Sequence, residues 1–196
     1  ADSMFNFNLS VKIYRSIVII KSPNIKFGMI RIGIDKGSFC LAKRNATIYI
    51  ENNCRLVFNG HCSIDGGFSI AINKEGEINI GNNVHFNANV LISSSSLIKI
   101  EDNVGTGWDC TFINWDGHDI IDLTSNKIIN APKDILIDKN CWIGSKVTIM
   151  KGTHLCMNTI VPYGSIITKK CEEPFSIFGG VPNHILKTNI ARKDKL

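Results

Sequence analysis

The sequence predicts an all-β fold, a prism-shaped parallel β-solenoid, and three observations carry that prediction. An aliphatic residue returns every six positions late in the chain, one short phrase recurs upstream, and Asn or Gly stands where such a chain must turn a corner. From residue 137 the chain divides into IDKNCW, IGSKVT, IMKGTH, LCMNTI, VPYGSI and ITKKCE. The first positions are Ile137, Ile143, Ile149, Leu155, Val161 and Ile167; the fifth are Cys141, Val147, Thr153, Thr159, Ser165 and Cys171, all small or β-branched. With Ile, Leu and Val at roughly a quarter of positions, six successive hits arise by chance about once in four thousand. A helix would repeat its apolar residues at three and four, and Pro132, Pro162 and Gly164 oppose one here.

The elements follow in order. Ala1-Asp2-Ser3 ahead of Met4 reads as a tag remnant. Within segment 1–29, Leu9, Ile13, Ile17 and Ile20 share a helical face, so a short amphipathic helix is expected. The apolar run over 16–20 is too short to span a bilayer and is bracketed by Lys12, Arg15 and Lys21; contact with a membrane surface is the second reading. Coils are expected over 30–178. Ile34-Asp35-Lys36-Gly37 is a weak opening copy of a phrase that returns as Ile50 to Cys54, Ile80 to Val84, Ile100 to Val104 and Ile137 to Cys141. An inward aliphatic, then Asn or Gly, then a small residue describes a short strand ending in a tight corner. Stacked coils bury one another's inward rows. The period fails over about 116–134, where GHDIIDLTSNKIINAP forms a polar loop. Residues 179–196 are a basic C-terminal extension, and short helical elements are expected at both termini.

Composition narrows the function. At 196 residues, 44% hydrophobic and 20% charged, the chain suits one folded domain. Its net charge of +5 fits a small anionic ligand and is too weak and scattered for nucleic acid. Seven cysteines (40, 54, 62, 110, 141, 156, 171) include no CxxC pair and read as reduced thiols filling the core of a cytoplasmic protein. No signal peptide or transmembrane helix is evident, and no metal is expected. The five histidines are scattered, without the close pair a zinc hydratase of this repeat type requires.

The hexads, the "WIG" at 142–144 and the ending FGGVPNHILK at 178–187 resemble the hexapeptide-repeat acyltransferases, in particular the sugar O-acetyltransferases of the maltose, nodulation and capsular-polysaccharide type. The resemblance covers about residues 30–190 and is strongest from 98 to 188. It implies a left-handed parallel β-helix, whereas parallel crossovers are otherwise nearly always right-handed. It also implies acetyl-CoA as acyl donor, a sugar, oligosaccharide or polysaccharide precursor as acceptor, and a homotrimer with each site between two subunits. An N-acetyltransferase acting on a nucleotide-linked amino sugar is the alternative, and a non-catalytic hexapeptide scaffold the third reading.

The same resemblance gives His118, ahead of the loop, the position of the catalytic base. An alcohol is a poor nucleophile until its proton is leaving, and neutral imidazole can take that proton near neutral pH. Asp116 or Asp119 would orient the ring, as carboxylates do in triads. Ser145 or Gly144 would supply an oxyanion N–H. Donor contacts carry over to Ser145 and Tyr163, and to Thr168 and Lys169 near the adenosine end, with Lys170 adding charge. Relatives often end in GxPAR or GxPAK, whereas this chain reads Gly180-Val181-Pro182-Asn183-His184 with Lys187 three residues on. The phosphate contact then falls to His184, Lys187 or Arg192. Acceptor contacts are Asn89, within Asn87-Ala88-Asn89, and the aromatic walls Trp115 and Trp142. For Asn89 a plain turn former, and for Trp108, Trp115 and Trp142 simple packing, are the competing readings.

Overall fold

The computed structural model describes residues 9–33 and 45–193 and shows seven successive coils; the first six each contribute a strand to each of three sheets, and the last contributes to the first and third only. The first coil is Leu9–Ile13 (β1), Ile17–Ile20 (β2) and Ile30–Ile32 (β3); the second is Ala46–Ile50 (β4), Arg55–Phe58 (β5) and Cys62–Ile64 (β6). Next come Ser69–Ile72 (β7), Glu77–Ile80 (β8) and Val84–Phe86 (β9), then Leu91–Ser94 (β10), Leu97–Ile100 (β11) and Gly105–Thr106 (β12). The fifth coil is Thr111–Ile113 (β13), a small antiparallel hairpin of Ile121–Asp122 (β14) and Lys127–Ile128 (β15), Ile135–Ile137 (β16) and Trp142–Ile143 (β17). The sixth is Thr148–Met150 (β18), His154–Leu155 (β19) and Ile160–Val161 (β20). The last is Ile166–Ile167 (β21) and the hairpin Ile177–Gly180 (β22) and Asn183–Lys187 (β23).

The first sheet runs β1-β4-β7-β10-β13-β18-β21, the second β2-β5-β8-β11-β16-β19, and the third β3-β6-β9-β12-β17-β20-β22-β23. Ladder register stacks like residues on like. In the first sheet Ile48, Ile70, Ile92, Phe112, Ile149 and Ile167 form one inward column. All six aliphatics of the hexad phase are 0–1% exposed, and the fifth-position residues Cys141 to Cys171 are 0–2% exposed. The core is therefore a continuous file of β-branched and aromatic side chains, the contents a pleated inner face favours. Phe86 and Phe112 meet edge to face at 6.2 Å inside it.

The corners bear out the role of Asn. In every recurrence of the phrase its fourth residue takes a left-handed φ: Asn53 61°, Asn83 57°, Asn103 60° and Asn140 62°. That region is costly for a side chain branched at Cβ and cheap for Asn or Gly. Asn140→Val should therefore lower unfolding free energy by about 1–2 kcal/mol in chemical denaturation, with Asn140→Gly nearly neutral. Equal losses from both would mean that the backbone conformation is not what the site selects.

Among the described residues, the segments expected to be helical near the termini are strands. Residues 9–13 and 17–20 are strands, paired in register with β4 and β5, so the first coil begins well before residue 30. Val11, Ile13, Ile17, Val18, Ile19 and Ile20 are all β-branched, and an isolated short helix gains little against a ladder already offered by the next coil. The C-terminal extension is likewise a strand, β23, folded antiparallel on β22. Six cysteines are free thiols, five of them buried; Cys40 and the opening copy Ile34 to Gly37 lie outside the described residues. Burial raises the Cys62 and Cys141 thiols to about 12 and the Cys110 thiol to about 11, which leaves them unreactive filler.

Candidate active site

Insertions in a solenoid leave the core alone and collect at an edge, and here the edge is the one between the first and second sheets. The chain leaves β13, runs out over residues 114–134 and returns at β16 without breaking the register of either strand. Asn114, fully buried, anchors the departure: its Oδ1 accepts from Ser95 N–H at 2.8 Å and its Nδ2 donates to Ser96 Oγ at 2.9 Å. Trp115 is half-buried, with Nε1 donating to Ser93 Oγ at 2.8 Å and the Lys74 ammonium 5.5 Å from its ring centre. Its ring is thus already packed against the coils.

His118 is exposed at the mouth of this loop, and among the described residues no side chain bonds its imidazole. Asp116, expected to orient that ring, does something else. Its Oδ2 accepts from the Lys151 ammonium and from Asn130 Nδ2 at 2.9 Å. The Lys151 hydrogen bond, then that of Asn130, holds the Asp116 carboxyl below the usual carboxylate range, so it is ionised at neutral pH. Asp119 faces Lys74 at 3.9 Å instead. Neither carboxylate meets the histidine.

The edge between the third and first sheets carries Ser145 and Tyr163. Ser145 is 7% exposed, and its Oγ accepts from Trp108 N–H at 3.2 Å. Coil-to-coil approach is close here: a Cβ on Gly107 would stand 2.2 Å from Ser145 Oγ and 2.5 Å from its N. Only glycine fits. Gly144 donates its N–H to Val161 O at 2.8 Å, so of the two oxyanion candidates Ser145 is the one whose N–H is not spent this way. Tyr163 is exposed, with Lys146 Nζ 5.7 Å from its ring centre.

The remaining expected residues are spread out. Thr168 lies at the first–second edge below the loop, donating its N–H and Oγ1–H to Asn183 Oδ1 at 3.2 and 3.0 Å. Asn183, the departure from the family ending, is thus a buried brace for that corner. Lys169 is exposed beside it. Thr168 and Lys170 line a hollow of about 440 Å³ with Lys133, Lys151 and His154. His184 turns its Nδ1 to Pro182 O at 3.1 Å, and Lys187 is exposed at the end of β23. Trp142 is half-buried on the outer face of the third sheet, its ring 3.0 Å from where a Gly105 Cβ would be, with the Arg192 guanidinium 4.9 Å above it. The packed reading of Trp142 and the phosphate reading of Arg192 therefore meet in one stack. Asn89 is 2% exposed, at φ 61°, with its Nδ2 on Asp109 Oδ1 at 3.0 Å. It stands at a coil corner, in the left-handed conformation that a turn-forming Asn adopts.

Some groups carried no sequence signal. Asn130 and Lys151 are ordinary residues in sequence, distinguished only by what the fold brings to them. Ser63, Asp65 and His85 come from two coils, with Ser63 Oγ 2.7 Å from His85 Nδ1 and Asp65 Oδ2 3.7 Å from Nε2, beside a hollow of about 260 Å³ that His61 and Arg31 also line. Ladder register, not local pattern, aligns Arg31, Ser63 and His85 on one outward row.

A prism of stacked three-sheet coils with one looped edge is the architecture of the hexapeptide-repeat acyltransferases, and the coil is left-handed. A scan against protein-family models finds no match. The chain is 38% identical over 101 residues to the polysialic acid O-acetyltransferase of Escherichia coli O1:K1 / APEC, covering 47% of this chain and 33% of that protein. It is 33% identical over 120 residues to the galactoside O-acetyltransferase of Escherichia coli K12, covering 60% and 57%. The chain spans between 33% and 57% of the length of the curated relatives it matches. Among solved structures, the polySia-specific acetyltransferase NeuO superposes with a TM-score of 0.71 at 24% identity, over 96% of this chain and 90% of that one. A hexapeptide-repeat acetyltransferase, VCA0836 from Vibrio cholerae O1 biovar eltor complexed with acetyl coenzyme A, gives 0.57 at 23% identity over 68% and 70%. At these identities the solved structures establish the fold.

Proposed function

We propose that this protein is an acetyl-CoA-dependent O-acetyltransferase that acylates a hydroxyl of a sugar, oligosaccharide or polysaccharide precursor, with His118 as general base. The observation that carries the reading is the similarity to two O-acetyltransferases of saccharides, joined to an exposed His118 at the mouth of the looped edge. In the proposed reaction the His118 imidazole takes the proton of the acceptor hydroxyl as its oxygen attacks the thioester carbonyl. The developing oxyanion is met by a corner N–H, for which Ser145 is the candidate. On collapse the imidazolium returns its proton to the departing CoA thiolate, so acid and base roles balance within one residue. Lys146 beside Tyr163, and Lys169, Lys170 and Lys187, supply cationic surface suited to an anionic donor.

Ser145 and Tyr163 stand on a different edge of the prism from His118. One chain alone would not bring them to one substrate. A homotrimer in which the looped edge of one subunit meets the Ser145 edge of its neighbour would, and the loop offers the apolar surface for it: Ile121, Leu123 and Ile129 are 50%, 97% and 64% exposed. Light scattering should give about three times the 21.7 kDa chain mass. A monomer that turns over acetyl-CoA at full rate would refute the shared site. No helix among the described residues is long and apolar enough to cross a membrane.

The acceptor class is tested by following acetyl transfer from radiolabelled acetyl-CoA to sialic-acid and galactoside hydroxyls, against a nucleotide-linked amino sugar. Ester product on a hydroxyl acceptor supports the reading; amide product alone replaces it with N-acylation.

A further inference from the structure

We infer that Asn130 and Lys151 are positioning residues, which with Asp116 form a clasp that fixes the loop backbone around His118. The inference rests on the reading of His118 as base and adds how that base is held.

A base on a long surface loop needs restraint, since a loop without packing samples many backbone states and proton transfer tolerates little misplacement. The loop tip here is exposed and supplies no core. What it has instead is one amide that reaches three alternate residues. Asn130 Nδ2 donates to Asp116 Oδ2 at 2.9 Å and to the His118 carbonyl at 2.8 Å, while Asn130 Oδ1 accepts from Ile120 N–H at 2.6 Å. The histidine is bonded through its own main chain and bracketed on both sides. Ile129 N–H donates to Ile120 O at 2.9 Å, which closes the neck of the hairpin.

The clasp is in turn tied to the rigid prism. Lys151, at the corner that follows β18 in the next coil, donates Nζ–H both to the Asp116 carboxylate and to Asn130 O at 2.9 Å. Lys151 and Asp116 are 20% and 30% exposed in their side chains, so the pair is partly shielded from water. On the far side Lys74, two coils earlier, faces Asp119 at 3.9 Å. Residues 116–120 are therefore suspended between two corners of the solenoid. The Asp116 carboxylate acts on the backbone register of His118 rather than on its ring. The amide is fitted to this role: Ala would delete all three bonds, and Asp would keep the acceptor, lose both donors and set a second negative charge against Asp116.

The test is a set of variants read by steady-state kinetics and by amide hydrogen exchange. Asn130→Ala should lower kcat by on the order of 10 to 10²-fold and leave KM for acetyl-CoA unchanged. Exchange should quicken over residues 116–130 and stay slow in the coils, which shows the fold intact. Lys151→Met should have the same character with a smaller loss, and Lys151→Arg should restore most of it. In a His118→Ala background, Asn130→Ala should cost nothing further, because no base is left to position. A raised KM with unchanged kcat, a full additional loss in the double variant, or faster exchange without any fall in kcat would each overturn the positioning role. If His118→Ala alone keeps full turnover, the base reading falls and the clasp falls with it. If His118→Ala abolishes turnover while Asn130→Ala does not change kcat, only the clasp is overturned.

Discussion

Replacing His118 with alanine should lower the rate of acetyl transfer by on the order of 10² to 10⁴, the usual contribution of a positioned general base. The fold and the affinity for CoA should be nearly untouched. The reason lies in the surroundings: His118 is exposed, its imidazole bonds no side chain among the described residues, and its carbonyl bond to Asn130 survives substitution. A histidine with a merely structural role would lose stability and affinity together. Asp116→Asn should cost less than His118→Ala, since it weakens the clasp and leaves the imidazole present. Unchanged turnover of His118→Ala on its true acceptor would remove the catalytic assignment, whatever the fold.

The other large effect is on stability. Ile149→Ala should cost about 2–5 kcal/mol in chemical denaturation, as truncation of a fully buried aliphatic does. Ile149 is 0% exposed and sits in register between Phe112 of the coil before and Ile167 of the coil after. The ladder spacing of about 4.8 Å holds those neighbours apart, so they cannot collapse into the vacated space. Ile149→Val should cost only about 0.5–1.5 kcal/mol. A loss below about 0.5 kcal/mol for the alanine variant would mean that the inward column is not the core.

How much of this was legible depended on whether a feature repeats. The inward rows were readable because the same requirement recurs at every corner, and Asn83, Asn103 and Asn140 show the same left-handed φ for the same reason. The first coil reads as a helix from its aliphatic spacing, while its β-branched composition and the waiting edge of β4 favour the strands that form. In the candidate site, His118 is marked out by the resemblance and by the break in period. Its supports are not. Asn130 lies 12 positions from His118 in sequence, and Lys151 lies 35 from Asp116. No local pattern marks an Asn or a Lys for such a role. The same limit applies at Asn89: a corner Asn looks alike in sequence whether or not its amide is bonded, as it is here to Asp109.

What the sequence determined by itself is the solenoid, its phase and the place where the phase is interrupted. Those are properties of a one-dimensional repeat, in which each coil meets only its neighbours and the periodic burial of aliphatic rows is written directly into residue order. Tertiary structure decided which edge of the prism each functional group occupies. It set His118 apart from Ser145, put Arg192 over Trp142, and turned Asp116 away from the histidine toward Lys151 and Asn130. These contacts join residues from different coils or from opposite ends of a loop. Their partners are chosen by register and by the path of an insertion with no period of its own, so only the folded structure assigns them.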